Sequence, residues 1–374
     1  MNYSKVGTIE GIFLICIGIL NHSILYLPQS IFNICGTASI LNIIYLSVIV
    51  LAFLCLFMKW YKYFRGQDII DISKYLGGNI LKNISGILFI IFYFIITSIM
   101  LRNFTEGIHT SYFHYIDLKI ILFILLSIVF IANKFGKSSI IKCNTLITFL
   151  MIISLIILAV SVIPNIDISK MFPLLGNGIE ATFIEGIGNL YAFSGICIIF
   201  FIAPMLRDPN SLNKITIISY SILSSILFLV IFILLLGLNF LLYVNELSPM
   251  YLLVRSIQFG KFFQNPESLF ILIWILSIIS FLCVFSMIII LIVQKLLNLK
   301  DSTALSGIVT NLIFIFALLP KNFSEIIFVS SKLYRTFQVC IVFIYSFSIL
   351  GLAYLKRKHQ DLNHLKEIKN EWII

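Results

Sequence analysis

The stretch Gly18-Ile19-Leu20-Asn21-His22-Ser23 interrupts the first long apolar segment of the chain, Ile12–Leu27, and Pro28 follows directly after that segment. Where the backbone leaves its helical conformation within the hydrocarbon core, its N–H and C=O groups lose their hydrogen-bond partners, at a cost of several kcal/mol each. Irregular backbone is therefore tolerated only where it is buried in protein or lines a polar cavity. The stretch predicts that the first membrane helix is discontinuous at Gly18–Ser23.

A matching interruption occurs in the second half of the chain, at Tyr191-Ala192-Phe193-Ser194-Gly195. Pro204 follows Gly195 by nine residues, much as Pro28 follows Gly18 by ten. Interrupted segments at corresponding positions of the two halves are the best sequence indication of a binding site near the middle of the membrane. We therefore expect the two segments to face each other across a site for a small molecule.

The composition places the chain among proteins that cross the membrane many times. It is 60% hydrophobic and 11% charged, with a mean hydropathy of +1.08, far from the averages of soluble domains. The net charge of +10 does not indicate nucleic-acid binding, because the basic residues lie in short loops beside apolar runs, where topology explains them. The seven isolated cysteines indicate small buried residues rather than disulfides or a metal site.

Ten apolar runs approach the length of about 20 residues that a membrane helix needs. These runs cover residues 8–33, 37–58, 83–104, 118–133, 139–163, 178–206, 213–243, 267–296, 303–319 and 328–354. Two intervening stretches, Asp68–Tyr75 and Pro249–Phe263, mix apolar and charged residues. Both predict surface helices that lie in the interface or cap a cavity, with a solvated connector as the alternative.

The topology follows from the number of spans and the distribution of charge. Ten spans put both termini on one side, and most of the 26 basic residues fall on that side, so the positive-inside rule predicts cytoplasmic termini. We interpret 1–374 as a single transmembrane domain with two inverted repeats, about 8–163 and 178–354, and a short tail, 355–374. Basic residues at the start of the tail are typical of an anchor to anionic membrane lipid.

The first interruption supplies polar candidates for ligand binding. Gly18, Asn21, His22 and Ser23 would hold a small polar ligand through side chains and freed backbone groups. The alternative is that the polar pair only joins neighbouring helices. His22 is also a candidate proton acceptor, because histidine titrates near neutral pH.

The second interruption supplies candidates of a different kind. Ser194 and Gly195 permit a break, after which the N–H groups of a half-helix would suit a carboxylate. Tyr191 and Phe193 would wall a pocket for an apolar side chain. The alternative is a kink that serves packing alone.

Other spans contribute weaker candidates. Tyr93 and Thr97 in the third span and Trp274 in the eighth are candidate wall residues, although single aromatics in spans more often serve packing. Glu10 is a candidate for an inner gate and Glu185 for an outer vestibule, each about two turns from a break. No catalytic, metal-binding or cofactor-binding motif occurs, so we expect neither an enzyme nor a cofactor.

Three groups of residues resemble conserved regions of one known family. They are Ile24-Leu25-Tyr26-Leu27-Pro28; Phe172-Pro173-Leu174-Leu175 with Gly176, Gly178 and Ala203-Pro204; and Glu267-Ser268-Leu269-Phe270 with Trp274. Their order and spacing resemble the spore germination permeases, the B subunits of Ger-type nutrient germinant receptors. Asn265-Pro266 departs from the basic residue that the family places before the acid, which puts a local salt bridge in doubt.

The resemblance implies a fold, a function and partners. The fold is that of the amino acid–polyamine–organocation superfamily: ten helices in a 5+5 inverted repeat, with helices 1 and 6 discontinuous as in LeuT-like symporters. The function is sensing of a nutrient germinant such as an amino acid in the inner membrane of endospores. The implied partners are a larger membrane receptor subunit and a lipoprotein subunit. A proton-coupled amino-acid permease is the alternative function.

Overall fold

The computed structural model describes residues 5–24, 27–242, 249–257, 266–299, 303–320, 325 and 334–371. Within these ranges the regular structure is helical, apart from one isolated parallel bridge between Val6 and Leu206. The all-helical class expected from the sequence is confirmed.

The helices follow the order of the predicted spans. The first half contains α1 (Thr8–Ile24), α2 (Leu27–Cys35), α3 (Ser39–Tyr61), α4 (Ile69–Ser111), α5 (Leu118–Phe135) and α6 (Lys137–Val162). The second half contains α7 (Ile179–Phe183), a 3-10 helix that we call the 3-10 segment (Glu185–Ile198), α8 (Ile199–Ile202), α9 (Leu212–Gly237), α10 (Pro249–Ser256), α11 (Pro266–Leu297) and α12 (Thr303–Leu318). The last span comprises α13 (Tyr334–Val339), a π-helix (Cys340–Tyr345) and α14 (Ser346–Glu371).

The number of membrane helices agrees with the sequence. Eight helical stretches of the described chain are long and apolar enough to cross a membrane. Two shorter apolar helices, Thr8–Asn21 and Ala304–Leu318, correspond to the first and ninth predicted spans. The expectation of about ten helices is confirmed, whereas the division into two repeats and the cytoplasmic termini stay predictions.

Two helices, α1 and α2, occupy the first predicted span, and the interruption predicted at Gly18–Ser23 is wrong. α1 continues through Gly18–Ser23 as far as Ile24, and α2 begins at Leu27. Asn21 is accommodated without unwinding, because its amide finds partners inside the bundle. Pro28 lies in the first turn of α2, where the N–H that proline lacks would have no helical partner.

The sixth span departs from α-helical geometry where the sequence predicts an interruption. After α7 ends at Phe183, the 3-10 segment runs for 14 residues, whereas 3-10 helices rarely exceed three or four residues. Gly186, Gly188 and Gly195 lie within it and weaken the preference for an α-helix. The predicted interruption at 191–195 therefore takes the form of a tighter winding.

The first predicted surface helix is present. The Asp68 carboxylate caps it by accepting hydrogen bonds from the N–H groups of Ile70 and Asp71. Non-helical backbone at Gly77 and Gly78 then separates this turn from the membrane-spanning part of α4. The second predicted surface helix is shorter than expected: α10 ends at Ser256, and 258–263 lie outside the described residues.

The packing of the helices brings the candidate elements together. α1 contacts α9, the 3-10 segment, α6 and α11, while α11 also contacts α4 and α6. The predicted spans one, three, six and eight therefore surround the same part of the core.

Candidate ligand-binding site

α1 and the 3-10 segment cross at two glycines. A Cβ atom on Gly195 would lie 2.4 Å from the backbone C and O of Gly18, and a Cβ atom on Gly18 would lie 3.2 Å from the Cα of Gly195. Such close approach of two backbones is possible only between small residues. The two segments face each other, but at this level they are in direct contact, and the space predicted between them is absent at Gly18 and Gly195.

Asn21 joins α1 to α11. Its side-chain amide donates to the carbonyl oxygens of Ile17 and Ser277, at 3.3 and 3.4 Å. The Ser277 hydroxyl donates back to Asn21 Oδ1 at 2.9 Å. Because Asn21 is fully buried and its donors and acceptor are engaged, these contacts match the helix-joining alternative.

His22 and Ser23 belong to α1 by their backbone. Their side chains lie outside the described residues. Their predicted roles, including proton acceptance by His22, stay predictions.

The 3-10 segment presents its predicted site residues to the interior. Tyr191, Phe193 and Ser194 are at most 2% exposed. The Ser194 hydroxyl donates a short hydrogen bond to Oε1 of Gln338 on α13. The guanidinium of Arg335, also on α13, lies over the Tyr191 ring with its carbon 5.1 Å from the ring centroid.

Three polar residues of α13 were missed as site candidates: Tyr334, Arg335 and Gln338. The topology predicted from the sequence assigns Arg335 to the basic residues near the outer ends of the spans. A sequence signal exists, because residues three and four apart are neighbours on a helix surface and an arginine within an apolar run is a functional candidate by default.

The third span contacts the 3-10 segment through Tyr93. Its hydroxyl lies 3.1 Å from the sulfur of Cys197, and its ring packs edge-on against Phe201 and Phe285. The Thr97 hydroxyl donates to the Tyr93 carbonyl at 2.6 Å, within its own helix. Tyr93 therefore lies at the boundary between α4, the 3-10 segment and α11, whereas the Thr97 hydroxyl is engaged locally.

Trp274 fills the space between α11 and α4. Its ring meets Phe104 edge-on, with centroids 5.0 Å apart, and a Cβ on Gly107 would lie 3.8 Å from it. Its indole N–H is buried and has no hydrogen-bond partner among the described residues. Trp274 is thus a packing residue with one polar group left over.

The sequence comparison decides the family. A family profile described as "Spore germination protein" matches residues 5–326. The chain belongs to the spore germination protein family. The resemblance seen in the sequence is confirmed.

The fold comparison agrees with that assignment. The germination protein matches a solved Na+-coupled sialic acid symporter, in a substrate-bound outward-open state, with a TM-score of 0.61 over 92% of this chain and 81% of that chain. The sequence identity is 11%, so the likeness shows the fold alone. No curated protein sequence matches the chain. Family and fold together indicate a membrane protein of the permease type and point away from an enzyme.

The two glutamates lie at different ends of this germination protein. Glu10 lines a cavity of about 230 Å³ together with Lys5, Lys142 and Arg207, and its carboxylate accepts a hydrogen bond from the Gly7 N–H at 2.7 Å. Glu185 is exposed at the start of the 3-10 segment. Glu10 therefore lies among basic side chains, and its role in an inner gate stays a prediction.

A larger cavity, of about 490 Å³, lies at the same end as Glu10. It is lined by Pro204, which follows the 3-10 segment, and by Asp68, Asp71 and Lys295. Lys295 Nζ lies 2.5 Å from Asp68 and 2.6 Å from Asp71. This ion-pair cluster ties the surface helix to the end of α11.

Proposed function

We propose that the chain is the nutrient-sensing membrane subunit of a spore germination receptor. Its ligand is a small amino-acid-like molecule that binds beside the 3-10 segment, among α1, α4 and α11. Its partners are a larger membrane subunit and a lipoprotein subunit, and it resides in the inner membrane of the endospore. Family membership over residues 5–326 supports the biological role.

The observation that carries the proposal is the 3-10 winding of a buried central segment. A 3-10 helix rises about 2.0 Å per residue and an α-helix about 1.5 Å. Rewinding the 14 residues to an α-helix would shorten the segment by about 7 Å. A ligand that prefers one winding would shift the populations of the two states, and the change in length would reach the partner subunits.

The proposal is tested by the germination response of spores that carry Ser194→Leu. The substitution removes the hydrogen bond to Gln338 and introduces a larger, apolar side chain at a buried position of the segment. We expect the half-maximal nutrient concentration to rise at least tenfold, with the protein still present in the membrane. Ser221→Leu is the matched control, because Ser221 is exposed on α9. An unchanged dose response of Ser194→Leu would reject the site.

The fold shared with a Na+-coupled symporter supports a second candidate, an amino-acid permease coupled to protons. The two functions differ in whether the ligand crosses the membrane. Uptake of radiolabelled amino acids into proteoliposomes under a proton gradient separates them. Accumulation inside the vesicles would establish the permease, and saturable binding without accumulation would support the sensor.

A further inference from the structure

One face of α13 carries three hydrogen-bonding side chains that point toward the 3-10 segment. Gln338 follows Tyr334 by four residues and Arg335 by three, so its side chain is a neighbour of both on the helix surface. Contact with the segment is direct, through the hydrogen bond between Ser194 and Gln338 and the stacking of Arg335 on Tyr191.

The donors of this face lack acceptors. The Nε atom of Arg335 is buried and has no hydrogen-bond partner in the part of the chain that the structure describes. The Nε2 atom of Gln338 and the hydroxyl of Tyr334 are also buried without a partner at full hydrogen-bond geometry, although these two side chains lie close enough to interact with each other. An unpaired buried group has lost its hydration without gaining a partner, and the cost is larger if the group is charged. Because Oε1 of Gln338 accepts from Ser194, it is the amide N–H₂ that is left unpaired.

The charge of Arg335 is also uncompensated. Among the described residues no carboxylate forms an ion pair with it. The contrast is Arg102 on α4, whose guanidinium lies 2.9 Å from Glu106. A cation inside a membrane bundle is normally paired with an anion or another acceptor. The face of the Tyr191 ring attracts a cation through its quadrupole but carries no formal negative charge.

We propose that this face receives the carboxylate of the ligand. The inference rests on the proposed function and adds the chemistry of recognition. A guanidinium edge binds a carboxylate through two parallel hydrogen bonds, and Gln338 and Tyr334 supply further donors to the same oxygens. The ligand class is therefore a small molecule with a free carboxylate, and its carboxamide binds poorly because an amide is neutral and brings its own donors.

The test measures binding to the purified full-length chain in lipid nanodiscs. The probes are the twenty L-amino acids and the carboxamide of each. We expect the wild-type protein to prefer at least one acid over its carboxamide by about 30-fold or more, in the range of a charge-assisted pair. Arg335→Gln should lose most of that preference, because its affinity for the acid falls while its affinity for the carboxamide stays nearly unchanged.

Two further variants separate recognition from folding. Arg335→Lys keeps the charge but not the planar fork, so it should restore only part of the acid preference. Arg255→Gln, at an exposed arginine of α10, is the matched control and should bind as the wild type does. Thermal unfolding in detergent shows whether each variant is folded.

The outcomes discriminate between the inference and the function on which it rests. If the wild type binds an acid and folded Arg335→Gln binds it equally well, the carboxylate lies elsewhere, water satisfies the donors, and the proposed function survives. The same holds if the carboxamide binds as tightly as the acid. If the wild type binds no member of the panel, the amino-acid sensor and this inference are both rejected.

Discussion

Two charged clusters of this protein are built in opposite ways. At the end of the bundle predicted to be cytoplasmic, Lys295 has two carboxylates within 2.6 Å, those of Asp68 and Asp71. In the interior, Arg335 rests on the Tyr191 ring and has no carboxylate partner among the described residues. A cluster whose charges are satisfied holds elements together. A cluster with donors left over has the composition that a binding site needs before its ligand arrives.

The inner cluster depends on burial as well as on charge. Burial raises the pKa of the Asp68 carboxyl, the neighbouring charge of Asp71 adds to that rise, and the Lys295 ammonium opposes it. Loss of the ammonium would therefore leave a carboxyl group that favours its protonated form.

Lys295→Met is expected to have the largest effect on stability. It leaves two carboxylates without their shared cation, which costs about 2–3 kcal/mol, below the value for a fully buried pair because Lys295 and Asp71 are partly exposed. The loss should shrink as the pH falls, because protonated Asp68 needs no counter-charge. Thermal and denaturant unfolding at several pH values measures both effects. Lys119→Met, at an exposed lysine, is the control. If the loss of stability does not change with pH, ionisation of the two carboxylates does not account for the stabilising effect of Lys295.

Gly195→Ala should have the next largest effect, because its new methyl group would lie 2.4 Å from the Gly18 backbone. Overpacking of this kind costs about 2 kcal/mol. Gly188→Ala is the matched control within the same 3-10 segment, since a Cβ there meets no atom within 4 Å. Unfolding measurements on both variants sharpen the comparison: equal stability of the pair would mean that α1 and the segment do not touch.

Ser277→Ala should have a smaller effect, of about 0.6 kcal/mol, the usual value of a hydrogen bond between membrane helices. The variant removes the hydroxyl that donates to Asn21. Ser221→Ala removes a hydroxyl that bonds only within its own helix and serves as the control. A loss above about 2 kcal/mol would exceed the largest energy measured for a hydrogen bond between membrane helices. It would make the contact between Ser277 and Asn21 one of the main determinants of stability.

Arg335→Met is expected to change the stability least, because two opposing effects of about 1 kcal/mol each nearly cancel. Loss of the contact with Tyr191 is offset by removal of a half-buried charge that has no carboxylate partner among the described residues. Unfolding of this variant beside Lys295→Met tests the comparison directly. A loss as large as that of Lys295→Met would show that Arg335 has a structural partner.

The sequence located the membrane helices well and the details of the site poorly. Apolar runs are local features, so the spans could be counted without knowing what they contact. The break assigned to 18–23 was misplaced because the partner that keeps Asn21 helical, Ser277, is 256 positions away in the chain. Arg335 was taken for a charge near the membrane surface, because its contact with Tyr191 is equally non-local.

The sequence by itself determined the class of the molecule, the number of its membrane helices, its family and the place where its sixth span leaves the α-helix. Hydrophobic length and glycine content act along the chain, and no neighbour is needed to interpret them. Only the tertiary structure decided which polar groups are satisfied. A hydrogen bond needs a partner at about 3 Å. Asn21 has one on α11, whereas the Gln338 amide N–H₂ has none with full hydrogen-bond geometry among the described residues. The candidate site is therefore a property of how the helices pack.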